Sequence, residues 1–126
     1  RFKILIIEDN EFNMFLARTI ILNIIAEVEI FEAIDGFQGL ALFHEKHPDL
    51  VLTDIQMPKL NGYEVARSIR REEVAGHTPM IALTAGNIKG EREKCLESGM
   101  DDFLVKPIIE NTLRETLIKW LNIPTP

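Results

Sequence analysis

Short apolar runs alternate along the chain with longer segments whose apolar residues return every three or four positions. Lys3-Ile4-Leu5-Ile6-Ile7 has the pattern of a strand buried on both faces. Asn10 suits a helix N-cap and Glu11 the first turn, so a helix is expected from about Glu11 to Ile25. Phe12, Leu16, Ile20 and Ile24 form its stripe, and Met14, Phe15, Ile21, Leu22 and Ile25 widen it. No glycine marks its end. Glu27 to Ala33 alternates charged and apolar residues, as a half-exposed edge strand does. Asp35-Gly36 reads as a turn, and Phe37 to Lys46 as a helix that His47-Pro48 ends.

Residues 50–53 form the third strand, followed by a loop over Gln56 to Leu60. A helix from about Gly62 to Glu73 buries Val65, Ala66 and Ile69. Residues 80–83 are the fourth strand. The next helix, about Ile88 to Ser98, is poor in apolar residues and holds Gly90 inside, which predicts a weakly held, mobile segment. Gly99 is a natural residue to follow a helix end. The fifth strand covers about Asp102 to Val105, and the last helix carries Leu113, Leu117, Trp120 and Leu121 on one face. The order βαβαβαβαβα, with short connections, predicts an α/β fold with a doubly wound parallel sheet.

The 126 residues fit one domain spanning 1–126 with a full core. Apolar residues make up 46% and charged residues 27%, an ordinary globular balance. The net charge of −6 argues against a domain built to grip nucleic acid. The single cysteine, Cys95, excludes an internal disulfide and fits a reducing, cytoplasmic setting. No apolar run is long enough to span a bilayer, so no direct membrane contact is expected. The first residue is Arg1, almost directly on a strand, and Ile123 to Pro126 resembles a linker or a cut end. The expectation is a domain excised from a longer protein.

The polar residues that could do chemistry all follow strands. Glu8 and Asp9 end the first, Asp54 the third, Thr84 the fourth, and Lys106 the fifth. Ligands of open parallel sheets bind outside the carboxyl ends of the strands. Three carboxylates in one pocket repel one another and call for a counter-charge, naturally a divalent cation such as Mg²⁺ with hard oxygen ligands. Thr84 offers a hydroxyl and Lys106 a compact positive charge for phosphoryl oxygens. A carboxylate can itself be the nucleophile, forming an aspartyl phosphate. Taken singly, each residue has a plainer explanation. Glu8 and Asp9 could cap the first helix, Asp54 could serve a turn, Thr84 could simply end a strand, and Lys106 could be solvated.

The chain resembles receiver domains of two-component response regulators. Ile4-Leu5-Ile6-Ile7-Glu8-Asp9-Asn10, Asp54-Ile55-Gln56-Met57-Pro58 with Asn61-Gly62, Ile81-Ala82-Leu83-Thr84-Ala85, and Asp101-Asp102-Phe103-Leu104-Val105-Lys106-Pro107 carry the resemblance, in family order. It implies a (βα)5 flavodoxin-like fold with strand order 2-1-3-4-5. It implies that Asp54 is the phosphoacceptor and that Glu8, Asp9, Asp54 and the backbone carbonyl of Gln56 hold Mg²⁺. It makes Lys106 the phosphate-binding lysine, and Thr84 and Phe103 the switch pair. A cis peptide before Pro107 is expected. Small Ala85 should leave the site open.

Glu8-Asp9-Asn10 with Asn13 is similar to receivers of hybrid sensor histidine kinases, whose phosphodonor is a histidine on a kinase or a histidine phosphotransfer domain. A weak dimer stays open. The chain departs from the family in a longer first helix and second strand, and in Ile109 where a polar cap is common. Two alternatives are a phosphorylation-independent docking module and an aspartyl-phosphate phosphatase or phosphotransferase. The intact acid, hydroxyl and lysine set argues against the first, and the lack of an Asp-x-Asp motif against the second. His44, His47 and His77 suggest no metal site, and Arg67, Arg70 and Arg71 read as a solvated helix face.

Overall fold

Every apolar run forms a strand, and every periodic segment between runs forms a helix. The computed structural model describes residues 1–73, 76–86 and 89–123. In chain order the elements are β1 (Phe2–Ile7), α1 (Glu11–Ile24), β2 (Val28–Ala33), α2 (Gly36–Lys46), β3 (Leu50–Asp54), α3 (Gly62–Glu72), β4 (Met80–Thr84), α4 (Glu91–Ser98), β5 (Asp102–Val105) and α5 (Glu110–Leu121). All pairings are parallel and the order is β2-β1-β3-β4-β5, the doubly wound arrangement expected. The carboxyl ends of β1 and β3 are therefore neighbours, with β4 and β5 beside them.

Strand side chains alternate between faces, and the alternation divides the interior in two. Ile4, Ile6, Leu50, Leu52, Ile81, Leu83 and Leu104 pack with α1 and α5. Leu5, Ile7, Val51, Met80 and Ala82 pack with α2, α3 and Cys95 of α4. β3 and β4 are buried throughout, while β2 is the half-exposed edge.

Local chemistry sets the helix limits. The Asn10 side chain accepts the Asn13 N–H at 2.9 Å, as expected of an N-cap. Asp35 caps α2 through the Gln38 N–H, so that helix starts at Gly36, inside the segment read as a turn. The Asn61 and Glu64 side chains each accept the other's backbone N–H in a full capping box at α3. Gly99 closes α4 at φ 106°, and α5 starts after an uncapped Ile109.

Three expectations are corrected. The fully buried residues of α1 are Met14, Ala17, Ile20 and Ile21, with Leu16 and Ile24 packed beside them, so of the expected stripe Phe12 alone points outward, as do Phe15 and Leu22. Helix α4 begins at Glu91, because Gly90 has φ 80° and stands before the helix. The expected start at Ile88 lies outside the described residues, as does the tail beyond Ile123. Arg70 is not solvated: it donates to the Gly99 and Thr78 carbonyls and pairs with Glu73 and Asp101, tying α3 to both ends of α4–β5 and to the start of β4.

Candidate functional site

The strand parity that sorts the core also sorts the polar residues. Glu8, Asp54 and Lys106 fall in phase with Ile6, Leu52 and Leu104, and their side chains meet. Lys106 Nζ lies 3.0 Å from Glu8 Oε1 and 3.1 Å from Asp54 Oδ1. Asp9 stands exposed beside them, and Glu8, Asp9 and Asp54 each offer an oxygen within 4.8 Å of the others. Thr84 and Phe103 fall in the opposite phase, with Ala82 and Val105, toward α4.

The backbone holds these ends tightly. Lys106 N–H donates to the Thr84 carbonyl at 2.7 Å, locking the end of β5 to β4. The peptide between Lys106 and Pro107 is cis, as expected. Gly62 N–H donates to the Ile55 carbonyl at 2.8 Å, and a Cβ on Gly62 would come 2.5 Å from the Asp54 carbonyl oxygen. Only glycine lets the first turn of α3 lie this close behind Asp54. Gln56 is exposed, and its carbonyl accepts no hydrogen bond among the described residues. A cleft of about 220 Å³ lies over Asp54, Gln56, Thr84, Ala85, Glu91 and Lys106.

The electrostatics are those of a site short of positive charge. Burial pushes the Glu8 carboxyl above its usual range, against the Asn10 N–H and Lys106, which favour its charged form. Burial also pushes Asp54 up, and Lys106 recovers only part of that. Burial disfavours the Lys106 charge, yet its bonds to Glu8 and Asp54 hold its pKa above the ordinary lysine value. Glu8 Oε2 accepts the Asn10 N–H at 3.0 Å. Glu8 Oε1 is fully buried with no well-formed hydrogen bond, although it faces the ammonium. Three carboxylates that each offer an oxygen within 4.8 Å of the others, one of them with a buried oxygen that lacks a well-formed hydrogen bond, fit a divalent cation such as Mg²⁺. Octahedral Mg²⁺ sets its ligand oxygens about 3 to 4 Å apart.

Glu91 is the site residue that sequence reasoning missed. It is 6% exposed, lines the cleft, and accepts the Thr84 hydroxyl proton. Thr84 Oγ1 in turn accepts the Gly86 N–H at 3.0 Å. The next residue, Arg92, places its guanidinium 5.9 Å from the centroid of the half-buried Phe103 ring. The sequence signal for Glu91 was an acid in the first turn of a helix, which ordinarily only complements the helix dipole.

Residues 4–118 match the family described as response regulator receiver domain. The chain is 38% identical over 121 residues to the polar-differentiation response regulator DivK of Brucella ovis, covering 94% of each protein. It is 42% identical over 122 residues to hybrid signal transduction histidine kinase I of Dictyostelium discoideum, covering 91% of this chain and 7% of that protein. Among solved structures it resembles the receiver domain of sensor histidine kinase PA1611 from Pseudomonas aeruginosa PAO1, which has a magnesium ion in its active site cleft. That match has a TM-score of 0.86 and 33% identity, covering 97% of this chain and 98% of that one. It also resembles the co-crystal structure of the Saccharomyces cerevisiae histidine phosphotransfer protein Ypd1 with the receiver domain of Ssk1. There the TM-score is 0.85 with 26% identity, covering 95% and 88%. Fold, strand-end chemistry and relatives agree, and the chain belongs to the response regulator receiver domain family of two-component signalling.

Proposed function

We propose that this domain takes a phosphoryl group from a phosphohistidine onto Asp54. The observation that carries the reading is the convergence of Glu8, Asp9 and Asp54 around Lys106, whose Nζ is 3.1 Å from Asp54. An Asp54 carboxylate oxygen attacks phosphorus. The new O–P bond forms as the N–P bond to the donor histidine breaks, and the imidazole keeps the electron pair. Glu8, Asp9, Asp54 and the Gln56 carbonyl would hold Mg²⁺. When bound, Mg²⁺ offsets the charge of the carboxylates and of the phosphoryl oxygens. Lys106 provides a second positive charge and Thr84 a hydroxyl donor, since transfer of this kind depends on positioning and charge neutralisation. The group adds about −1.5 to −2 of charge near neutral pH. Thr84 is drawn toward it and Phe103 turns inward, biasing the surface of α4, β5 and α5; alternatively the phosphoryl group is relayed onward.

The donor is a histidine kinase or a histidine phosphotransfer domain. Phe12, Phe15 and Ile109 support this: they are 68%, 56% and 62% exposed, and the elements that bear them start at the carboxyl edge of the sheet. Isolated apolar residues need no explanation, but three at the rim of one site suit a partner helix. The similarity to kinase receivers supports a place within a longer cytoplasmic signalling protein, such as a hybrid kinase.

The test is incubation with a small phosphodonor such as acetyl phosphate, with and without Mg²⁺, followed by intact mass. One Mg²⁺-dependent phosphoryl adduct, lost in Asp54→Asn, is expected. An adduct that persists at the same rate in Asp54→Asn overturns the assignment. Without an adduct, failure to bind beryllofluoride as well leaves a docking module.

A further inference from the structure

Glu91 is a buried acid that the proposed transfer does not use. It is the first residue of α4, and its carboxylate accepts a hydrogen bond from the Thr84 hydroxyl. A threonine hydroxyl has one proton to give. While Glu91 holds it, Thr84 cannot donate to a phosphoryl oxygen. Oγ1 still accepts the Gly86 N–H, which fixes the oxygen without freeing the proton.

We infer that Glu91 is the resting-state latch of Thr84, a positioning residue that must release the hydroxyl proton before the phosphoryl site is completed. The inference rests on phosphorylation of Asp54 as read above. Two observations give the latch a mechanical output. Release leaves a carboxylate that is 6% exposed without its donor, so it must reach water. The segment able to yield is the start of α4. Gly90 has φ 80°, makes no side-chain cap, and has open space where a Cβ would stand. The same helical turn carries Arg92 over the face of Phe103. Movement of that one turn therefore frees Thr84 and uncovers Phe103 together. A carboxylate lining the cleft also repels an arriving phosphoryl anion, so it opposes the active arrangement twice.

The experiment compares wild type, Glu91→Gln and Glu91→Leu, first checked for equal thermal midpoints, by beryllofluoride titration with Mg²⁺ followed by NMR. Glu91→Gln keeps shape and acceptor but exchanges a charge-assisted bond for a neutral one, so binding tightens by about fivefold. Made together with Thr84→Val, the same change keeps only the part of the gain that comes from relieved repulsion, clearly below that in wild type. Unchanged affinity in Glu91→Gln, or an equal gain in the Thr84→Val background, overturns the latch. A second readout needs no phosphoryl chemistry: the Thr84 hydroxyl proton exchanges slowly in wild type and fast in Glu91→Leu. Equal exchange in both removes the Thr84–Glu91 bond and the latch with it. Wild type that fails to bind beryllofluoride refutes the phosphoacceptor reading instead, while the exchange measurement still decides the bond.

Discussion

Replacing Asp54 by Asn should stabilise the domain in the absence of divalent cations. Near a protein surface the effective dielectric constant is about 20, so two like charges no more than 4.8 Å apart repel by at least about 3.5 kcal/mol. The Lys106 ammonium, 3.1 Å from Asp54, attracts it by about 5 kcal/mol on the same scale. Asp54 faces two carboxylates, and Asp9 is exposed and partly screened, so attraction and repulsion nearly cancel. Burial of Asp54 then decides the sign. Neutralising it should raise stability by about 1 kcal/mol, or about 4 °C in Tm for a chain of this length. The pH dependence follows from the raised pKa of Asp54. A carboxyl with a raised folded pKa destabilises the fold above that pKa, and the penalty disappears as pH falls through it toward the unfolded value. The advantage of Asp54→Asn is therefore largest at neutral pH and fades on acidification. Mg²⁺ should do for wild type what the substitution does. At ten times its Kd, Mg²⁺ supplies about 1.4 kcal/mol by linkage, and Asp54→Asn should lose most of it. The assay is thermal unfolding by circular dichroism at several pH values, in EDTA and in Mg²⁺. An Asp54→Asn domain that is less stable than wild type in EDTA, or that gains as much from Mg²⁺, refutes the account of charge crowding.

Lys106→Met leaves Glu8 and Asp54 buried without their cation and should cost about 2 kcal/mol in urea unfolding, with the loss shrinking in Mg²⁺; a neutral effect would mean the ammonium is dispensable. Gly62→Ala drives a Cβ against the Asp54 carbonyl, so about 1–3 kcal/mol of stability should go, together with a lower yield of phosphoryl adduct by intact mass. Arg70→Ala breaks two backbone bonds and two ion pairs and should cost about 3 kcal/mol while leaving Mg²⁺ affinity alone; a weakened Mg²⁺ titration would contradict the purely structural role.

The alternation of buried runs and amphipathic segments carried most of the fold, because a run too short for a helix and apolar on both faces can be satisfied only inside a sheet. Strand parity even separates Glu8, Asp54 and Lys106 from Thr84 and Phe103, and it can be counted along the chain. Helix α1 misled for a physical reason. Nine apolar residues in fourteen positions leave several stripes of equal merit, and only packing against α5 and the sheet selects Met14, Ala17, Ile20 and Ile21. Glu91 and Arg70 escaped because an acid in a first turn and a basic residue in a last turn are what a solvated helix also shows. Their partners, Thr84 and the Gly99 and Thr78 carbonyls, lie outside their own helices and carry no local mark.

The sheet that separates the two hydrophobic interiors also separates two kinds of heredity. Phe12 and Phe15 belong to the α1 layer, while Glu91 and Arg92 belong to the α4 layer, with a fully buried β3 and β4 between them. Substitutions that share no partner combine additively. Changes on one layer can then accumulate without retuning the other. After gene duplication, a copy can remodel its exposed α1 face while inheriting the first turn of α4 intact.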